Sequence, residues 1–205
     1  MIVTMSTKER MLDILYKRLY RLDDSTSLTE QVKINAKDNN RIPSAVLIII
    51  HFTYNEPRII LCKRSSKLSK HANQISFPGG VYKDEDKDIL VTALRECMEE
   101  IGLEVKKEHV VGYMDTFNTF SSNFIILPFV ALLDFISMLK PNPREVDEII
   151  DASLHELLKC MYKDEEHAYY ADAYKFVYKG YVIWGATARI LKTLRDMIYI
   201  YYTYR

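Results

Sequence analysis

Phe77-Pro78-Gly79-Gly80, followed at residues 95–103 by Arg-Glu-Cys-Met-Glu-Glu-Ile-Gly-Leu, is the stretch on which the reading of this chain turns. Residues 88–102 carry the strongest helical pattern in the sequence, with Gly102 placed as the stop. On a wheel of about 100° per residue, Glu99 and Glu100 fall within about 60° of Glu96, while Leu90, Val91, Leu94, Met98 and Ile101 cluster on the opposite side. Residues three and four apart on a helix are neighbours, about 5–6 Å between Cβ atoms, so three like charges here repel. A divalent cation relieves that repulsion, and carboxylate oxygens are the ligands Mg2+ or Mn2+ prefers. A solvated acidic face is the plain alternative. Before the helix, residues 74–77 read as a strand that stops at a stiff turn. Its two glycines let backbone N–H groups come close to an anion. A phosphate-cradling turn followed by an acidic face for metal is the set of parts that hydrolysis of a diphosphate requires.

Outward from this centre, residues 45–52 and 58–62 are β-branched runs joined through Asn55-Glu56-Pro57, and predict a hairpin of largely buried strands. Residues 7–22 space their apolar side chains as a helix, and the polar segment 23–41 reads as a loop or connection. After the acidic helix, residues 110–113 and 125–133 read as strands, 147–161 as helical, 169–182 as mixed or strand, and 186–202 as a final helix. Strands and helices alternating in this way predict a mixed α/β fold, a sheet covered by helices on both faces.

The chain has 205 residues, enough for one domain with a full core. Its 28 basic and 28 acidic side chains cancel, so no global field recruits nucleic acid or an anionic membrane. The longest uncharged apolar stretch, residues 121–133, is interrupted by Pro128 and falls short of the roughly 20 residues a bilayer needs. Cys62, Cys97 and Cys160 are widely spaced and form no CxxC pair, which suits a reducing compartment. A cytoplasmic protein with a small-molecule substrate is the expectation.

Gly80 together with residues 95–103 resembles the Nudix box, G-x5-E-x7-R-E-U-x-E-E-x-G-U, where U is apolar. The second half matches at every specified position, with Cys97 and Leu103 as apolar residues. In the first half one extra residue separates Gly80 from Arg95, and the first Glu of the box falls on Asp86 or Lys87. Asp86 keeps an acid there. An extra residue with Asp for Glu resembles the coenzyme A diphosphatase branch of the family, whose upstream motif is L-L-T-x-R-S-x3-R-x3-G-x3-F-P-G-G. Leu61, Arg64, Ser65, Phe77, Pro78, Gly79 and Gly80 match it with the spacing kept. Ser69 stands where that motif has its second Arg, and Asn73 where it has Gly. Lys70 and His71 offer a cation beside the missing Arg. Glu145-Val146-Asp147-Glu148 and Trp184-Gly185-Ala186-Thr187-Ala188 also resemble that branch, so the likeness runs over residues 44–194 and leaves residues 1–40 without a counterpart.

The resemblance implies a Nudix-type α/β/α sandwich at residues 41–205, preceded by an N-terminal helix and connection at 1–40. It implies Glu96, Glu99 and Glu100 as ligands of Mg2+ or Mn2+, with Glu99 a third ligand or a base and Glu100 catalytic. Arg95 would hold a catalytic glutamate by a salt bridge, and Glu145 or Glu148 would add a carboxylate from outside the helix. Arg64, Ser65, Lys70 and His71, with Gly79 and Gly80, would bind the phosphates of the substrate; solvated loop residues are the alternative for Arg64, Lys70 and His71. His51 and Trp184 read as core. The 15 tyrosines read mostly as packing, with adenine stacking or a homodimer surface on the tyrosine-rich final helix as alternatives. The function implied is cleavage of coenzyme A or acyl-CoA to 3′,5′-ADP and (acyl-)4′-phosphopantetheine. Alternatives are hydrolysis of another nucleoside diphosphate derivative (NADH, ADP-ribose, a damaged dNTP) or a binding module without catalysis.

Overall fold

A computed structural model describes residues 6–22, 25–120, 122–166 and 173–203. The chain opens with α1 (Thr7–Tyr16), α2 (Ser25–Asp38), β1 (Ile42–His51), β2 (Arg58–Arg64), β3 (Ile75–Ser76), β4 (Gly79–Val81) and α3 (Ile89–Ile101). It continues through β5 (Val110–Tyr113), β6 (Phe117–Asn118), β7 (Phe124–Leu133), β8 (Val146–Ser153) and α4 (Leu154–Lys159). β9 (Met161–Lys163), β10 (Tyr174–Tyr178), β11 (Tyr181–Ile183) and α5 (Gly185–Thr203) complete it.

Near-continuous apolar runs suit strands covered on both faces. β1 and β7 are such runs, and they lie parallel from Ile42 opposite Phe124 to His51 opposite Leu133. Successive β1 side chains alternate between two cores, as the strand period of two requires. Ile48 and Ile50 meet Leu15 of α1, Leu157 of α4 and Leu194 of α5. Leu47 and Ile49 meet Val32 of α2 and Ala93 and Cys97 of α3. The result is the expected α/β/α sandwich, a mixed eight-stranded sheet between two helical layers.

The predicted hairpin holds only at its closed end, where Ile50 pairs with Ile59 and His51 with Arg58. Beyond that the strands part. β1 takes β4 as its partner at Ser44, Ala45 and Val46, and β2 turns to β3 and β8. This divergence opens a cleft between β1, the end of β2 and the turn at Gly79-Gly80.

Two segments depart from expectation. Residues 25–38, read as loop, form α2, because Leu28, Val32 and Ala36 make a one-residue-per-turn stripe that is buried. Residues 147–161, read as helical, begin as strand. Val146, Ile150 and Ala152 face the core with strand spacing, and β2 lacks a partner on that side without them. Only Leu154–Lys159 is helix. Residues 169–182 yield β10 and β11 in a three-stranded sheet with β9, residues 169–172 lying outside the described ones. The side chains of Tyr201, Tyr202 and Tyr204, on which the homodimer expectation leaned, also lie outside them.

Candidate active site

α3 is pinned at both ends. Asp88 Oδ1 accepts the Leu90 N–H (2.8 Å), and Thr29 Oγ1, from the helix missed in the sequence, accepts the Ile89 N–H (3.0 Å). At the far end Gly102 takes φ 67°, the left-handed conformation that ends helices. The next segment satisfies the last carbonyls: the Lys140 N–H donates to Ile101 O and the Asn142 N–H to Glu100 O, both at 2.8 Å. The wheel placed Val91 and Met98 on the apolar side, yet they are 42% and 53% exposed, while Glu96 and Glu100 are 9% and 3%. The helix is rolled so that its acids face inward, since Ala93 and Cys97 are what meets the sheet.

Ligand oxygens of Glu96, Glu100 and Glu145 lie within 4.8 Å of one another. Glu100 Oε2 accepts the Gly79 N–H (3.1 Å), and Arg64 Nη1 stands 3.6 Å from its Oε1. Glycine is required at Gly79 for close approach of the backbone, and at Gly80 a larger residue would displace the Glu96 carboxylate. A Cβ on Gly79 would collide with Ala45 O and the Val46 backbone, and one on Gly80 would collide with the Glu96 carboxylate. Glu145 arrives on the segment that closes α3. Its carboxylate accepts from Asn142 Nδ2 (3.2 Å), and its carbonyl accepts the Ser65 N–H (2.8 Å). Burial pushes the Glu100 carboxyl up to about 8; the Gly79 N–H and Arg64 oppose the rise, and Glu96 and Glu145 add to it. Three convergent carboxylates, one of them reluctant to ionise, fit a hard divalent cation that supplies the missing positive charge.

Glu99 stands outside this trio. It is solvent-exposed and accepts from Arg95 Nη1 (2.9 Å), which also donates to Glu96 Oε1 (2.6 Å). The other edge of the guanidinium forks onto Asp86, Nε to Oδ1 at 2.7 Å and Nη2 to Oδ2 at 3.0 Å. Asp86 also accepts from Thr92 Oγ1 (2.8 Å), and Lys87 takes φ 60° beside it, absorbing the extra residue of the loop. Burial raises the Asp86 carboxyl, but hydrogen bonds from Arg95, Thr92 and the Lys83 N–H together outweigh it and leave Asp86 below its usual value. Glu148, the alternative to Glu145, instead accepts from Tyr181 Oη at 2.5 Å on β11.

The cleft above the carboxylates has a volume of about 470 Å³. Arg64, Lys70, His71, Gly79 and Gly80 all line it. Ser65 does not. It is fully buried, and its backbone holds Glu145, so its place is structural. Asn73 takes φ 60°, a conformation that explains why a glycine motif position tolerates Asn. The sequence reading missed Gln74 and Phe120 and assigned Trp184 to the core; all three line the cleft. The signal for Phe120 is an aromatic residue on a polar turn, which a single sequence does not separate from a strand end.

Among the described residues no helix is long and apolar enough to cross a membrane. Residues 42–174 match the NUDIX domain family. An uncharacterized Nudix hydrolase, NudL, of Photorhabdus laumondii is 35% identical over 171 residues, 80% of this chain and 88% of its own length. The mitochondrial coenzyme A diphosphatase NUDT8 of Mus musculus is 36% identical over 155 residues, 72% of this chain and 73% of its own. The crystal structure of a MutT/nudix family protein from Enterococcus faecalis shares the fold at a TM-score of 0.55 and 12% identity, covering 95% of this chain and 76% of that one. By the span of the family match and the identity to both relatives, this chain belongs to the Nudix hydrolase family.

Proposed function

We propose that the chain hydrolyses the diphosphate of coenzyme A or an acyl-CoA, giving 3′,5′-ADP and (acyl-)4′-phosphopantetheine. The observation that carries the reading is the cleft itself, with Glu96, Glu100 and Glu145 converging at one end and Arg64, Lys70 and His71 lining the same space. The 36% identity to a coenzyme A diphosphatase and the upstream motif support that substrate. Glu96, Glu100 and Glu145 would hold Mg2+ or Mn2+, which would supply positive charge to the diphosphate. Arg64 adds a fixed cation, suited by its planar fork to phosphate. A carboxylate of the site takes the proton of the attacking water as a phosphorus–oxygen bond forms and the bridging P–O–P bond breaks. The bridging oxygen leaves on the second phosphate. Arg95 holds Glu96 and Glu99 in register while this happens.

Ser69, where the branch motif has Arg, favours the second reading, another nucleoside diphosphate derivative such as NADH or ADP-ribose. Mass spectrometry of products after incubation with coenzyme A and Mg2+ or Mn2+ decides between them, with Glu100→Gln as the inactive control. Appearance of 3′,5′-ADP and 4′-phosphopantetheine with the wild type alone supports coenzyme A. Intact coenzyme A beside cleaved NADH or ADP-ribose transfers the activity to the second substrate class.

A further inference from the structure

Phe120 sits at the tip of the turn between β6 and β7, 52% exposed. The residues on either side of the turn are joined by hydrogen bonds. The Thr119 N–H donates to Phe124 O (2.9 Å), the Phe124 N–H to Thr119 Oγ1 (2.8 Å), and Arg41 Nη1 to Thr119 O (2.8 Å). Arg189 of α5 covers the Phe120 ring at 4.6 Å, covers Phe117 at 5.5 Å, and donates to Asn118 O at 2.7 Å. The ring is half exposed on the side of the cleft and carries the Arg189 guanidinium, so it offers apolar area to a ligand there. That area lines the cleft. Trp184, whose carbonyl accepts the first N–H bond of α5 from Ala188 (3.5 Å), lines the same cleft. Val81, Phe124 and Ile126 line the same cleft.

A diphosphate held at the carboxylates carries a substituent on each side. One substituent of the substrate proposed above is a flexible aliphatic amide arm and the other a flat heteroaromatic base. Ring faces reward a partner that has a π-face of its own and costs little entropy to immobilise. We infer that Phe120 and Trp184 form the seat of the nucleobase, holding it by stacking, and that they set the preference for an adenine-bearing diphosphate. The assignment rests on the diphosphatase reading of the cleft but does not need coenzyme A in particular.

Trp184 is the sole tryptophan of the chain, so its fluorescence reports on the seat directly. Titration with 3′,5′-ADP should quench it saturably, whereas 4′-phosphopantetheine, the half without a base, should leave it unchanged. Phe120→Ala should weaken the nucleotide Kd about 5-fold or more, and raise KM for the cleaved substrate with kcat within about 3-fold. Phe120→Tyr should restore both, which a merely structural role for the ring would not require. Quenching by 4′-phosphopantetheine alone would give the seat to the arm. Wild-type nucleotide affinity in Phe120→Ala would overturn the proposal, as would silence of Trp184 toward 3′,5′-ADP. Quenching by 3′,5′-ADP with coenzyme A left intact would keep the seat and remove the coenzyme A reading; cleavage of coenzyme A without quenching would do the reverse.

Discussion

At the acidic end of the cleft Glu100 and Glu145 are fixed through the backbone and Glu96 by Arg95, whereas at the other end Lys70, His71 and Phe120 stand on a loop and a turn. Glu100 is held by the Gly79 N–H, Glu145 by the segment that closes α3, and a side chain at Gly80 would push the Glu96 carboxylate aside. Lys70 and His71 lie on a loop where His71 Nδ1 meets Gln74 Oε1 at 2.9 Å, and Phe120 on a turn. The difference separates chemistry from recognition: the carboxylates are fixed by α3, the glycine turn and the segment that closes α3, and choice of substrate falls to the loop of Lys70 and His71 and the turn of Phe120. Substitutions at the acidic end should therefore act on kcat, and substitutions at the far end on KM.

The largest expected effect tests the first half of that division. Glu96→Gln keeps the shape of the side chain and removes one convergent charge, so kcat should fall on the order of 10³-fold with circular dichroism unchanged. A variant within about 10-fold of wild type would take Glu96 out of the trio.

This end was also the legible one, for a physical reason. The run Arg-Glu-Cys-Met-Glu-Glu-Ile-Gly-Leu must be helix with acids one turn apart, and two adjacent glycines before it announce a close backbone approach. What the pattern could not tell was which way the helix rolls. Val91 and Met98 look like core on a wheel and Glu96 and Glu100 like surface, but burial is settled by Ala93 and Cys97 against the sheet and by charges that gain a purpose only in the folded cleft. α2 escaped notice because a stripe of Leu28, Val32 and Ala36 is thin enough to pass for a polar connection, although Thr29 on it holds the first turn of α3. The fate of Ser65 depended on neighbours distant in sequence. A conserved-looking motif position can serve by holding Glu145 through its backbone, and nothing in the residue type says so.

Next in size is Arg95→Ala. The guanidinium joins Asp86, Glu96 and Glu99, so its loss should lower kcat about 10–100-fold while leaving KM nearly unchanged. It should also reshape the acid limb of the stability profile. Asp86 lies below its usual value when folded, so it contributes stability above the unfolded pKa that is lost as pH falls through the folded one. Without Arg95 that contribution shrinks, and denaturant midpoints of wild type and variant should converge as pH falls. Parallel profiles would mean that Thr92 and the Lys83 N–H alone hold Asp86.

Glu100 should behave in the opposite sense, which sharpens the contrast within the acidic end itself. Its folded value is about 8 against 4.5 for an ordinary Glu, so between those limits the folded chain keeps a proton the unfolded chain has released. Stability of the cation-free protein should therefore fall as pH rises through that window, by about 2 kcal/mol from about pH 5 to about pH 7. Glu100→Gln should abolish the slope and melt higher than wild type in chelator at neutral pH, although it is inactive. Adding Mg2+ or Mn2+ should raise the wild-type Tm and leave the variant nearly still. A cation response as large in Glu100→Gln as in wild type would mean that Glu96 and Glu145 hold the ion without it.

The smallest effect is expected at the loop end, at the glycine position of the branch motif. Asn73 holds φ 60°, where Asn is among the few non-glycine residues tolerated because its short amide bonds locally to the backbone. If the motif asks there for a conformation and not for absence of a side chain, Asn73→Gly should change kcat/KM for coenzyme A by less than about 2-fold. Asn73→Ala should lower stability by about 1 kcal/mol, since a Cβ without that amide makes the left-handed conformation costly. Chemical denaturation and steady-state kinetics on the two variants separate the cases. A large gain in coenzyme A turnover from glycine would show that the Asn73 side chain obstructs the substrate, and the loop would then discriminate by steric exclusion as well as by Lys70 and His71 on the same segment. Unchanged turnover leaves Ser69, the other departure from the motif, as the single position on this loop where a missing charge could shift substrate choice.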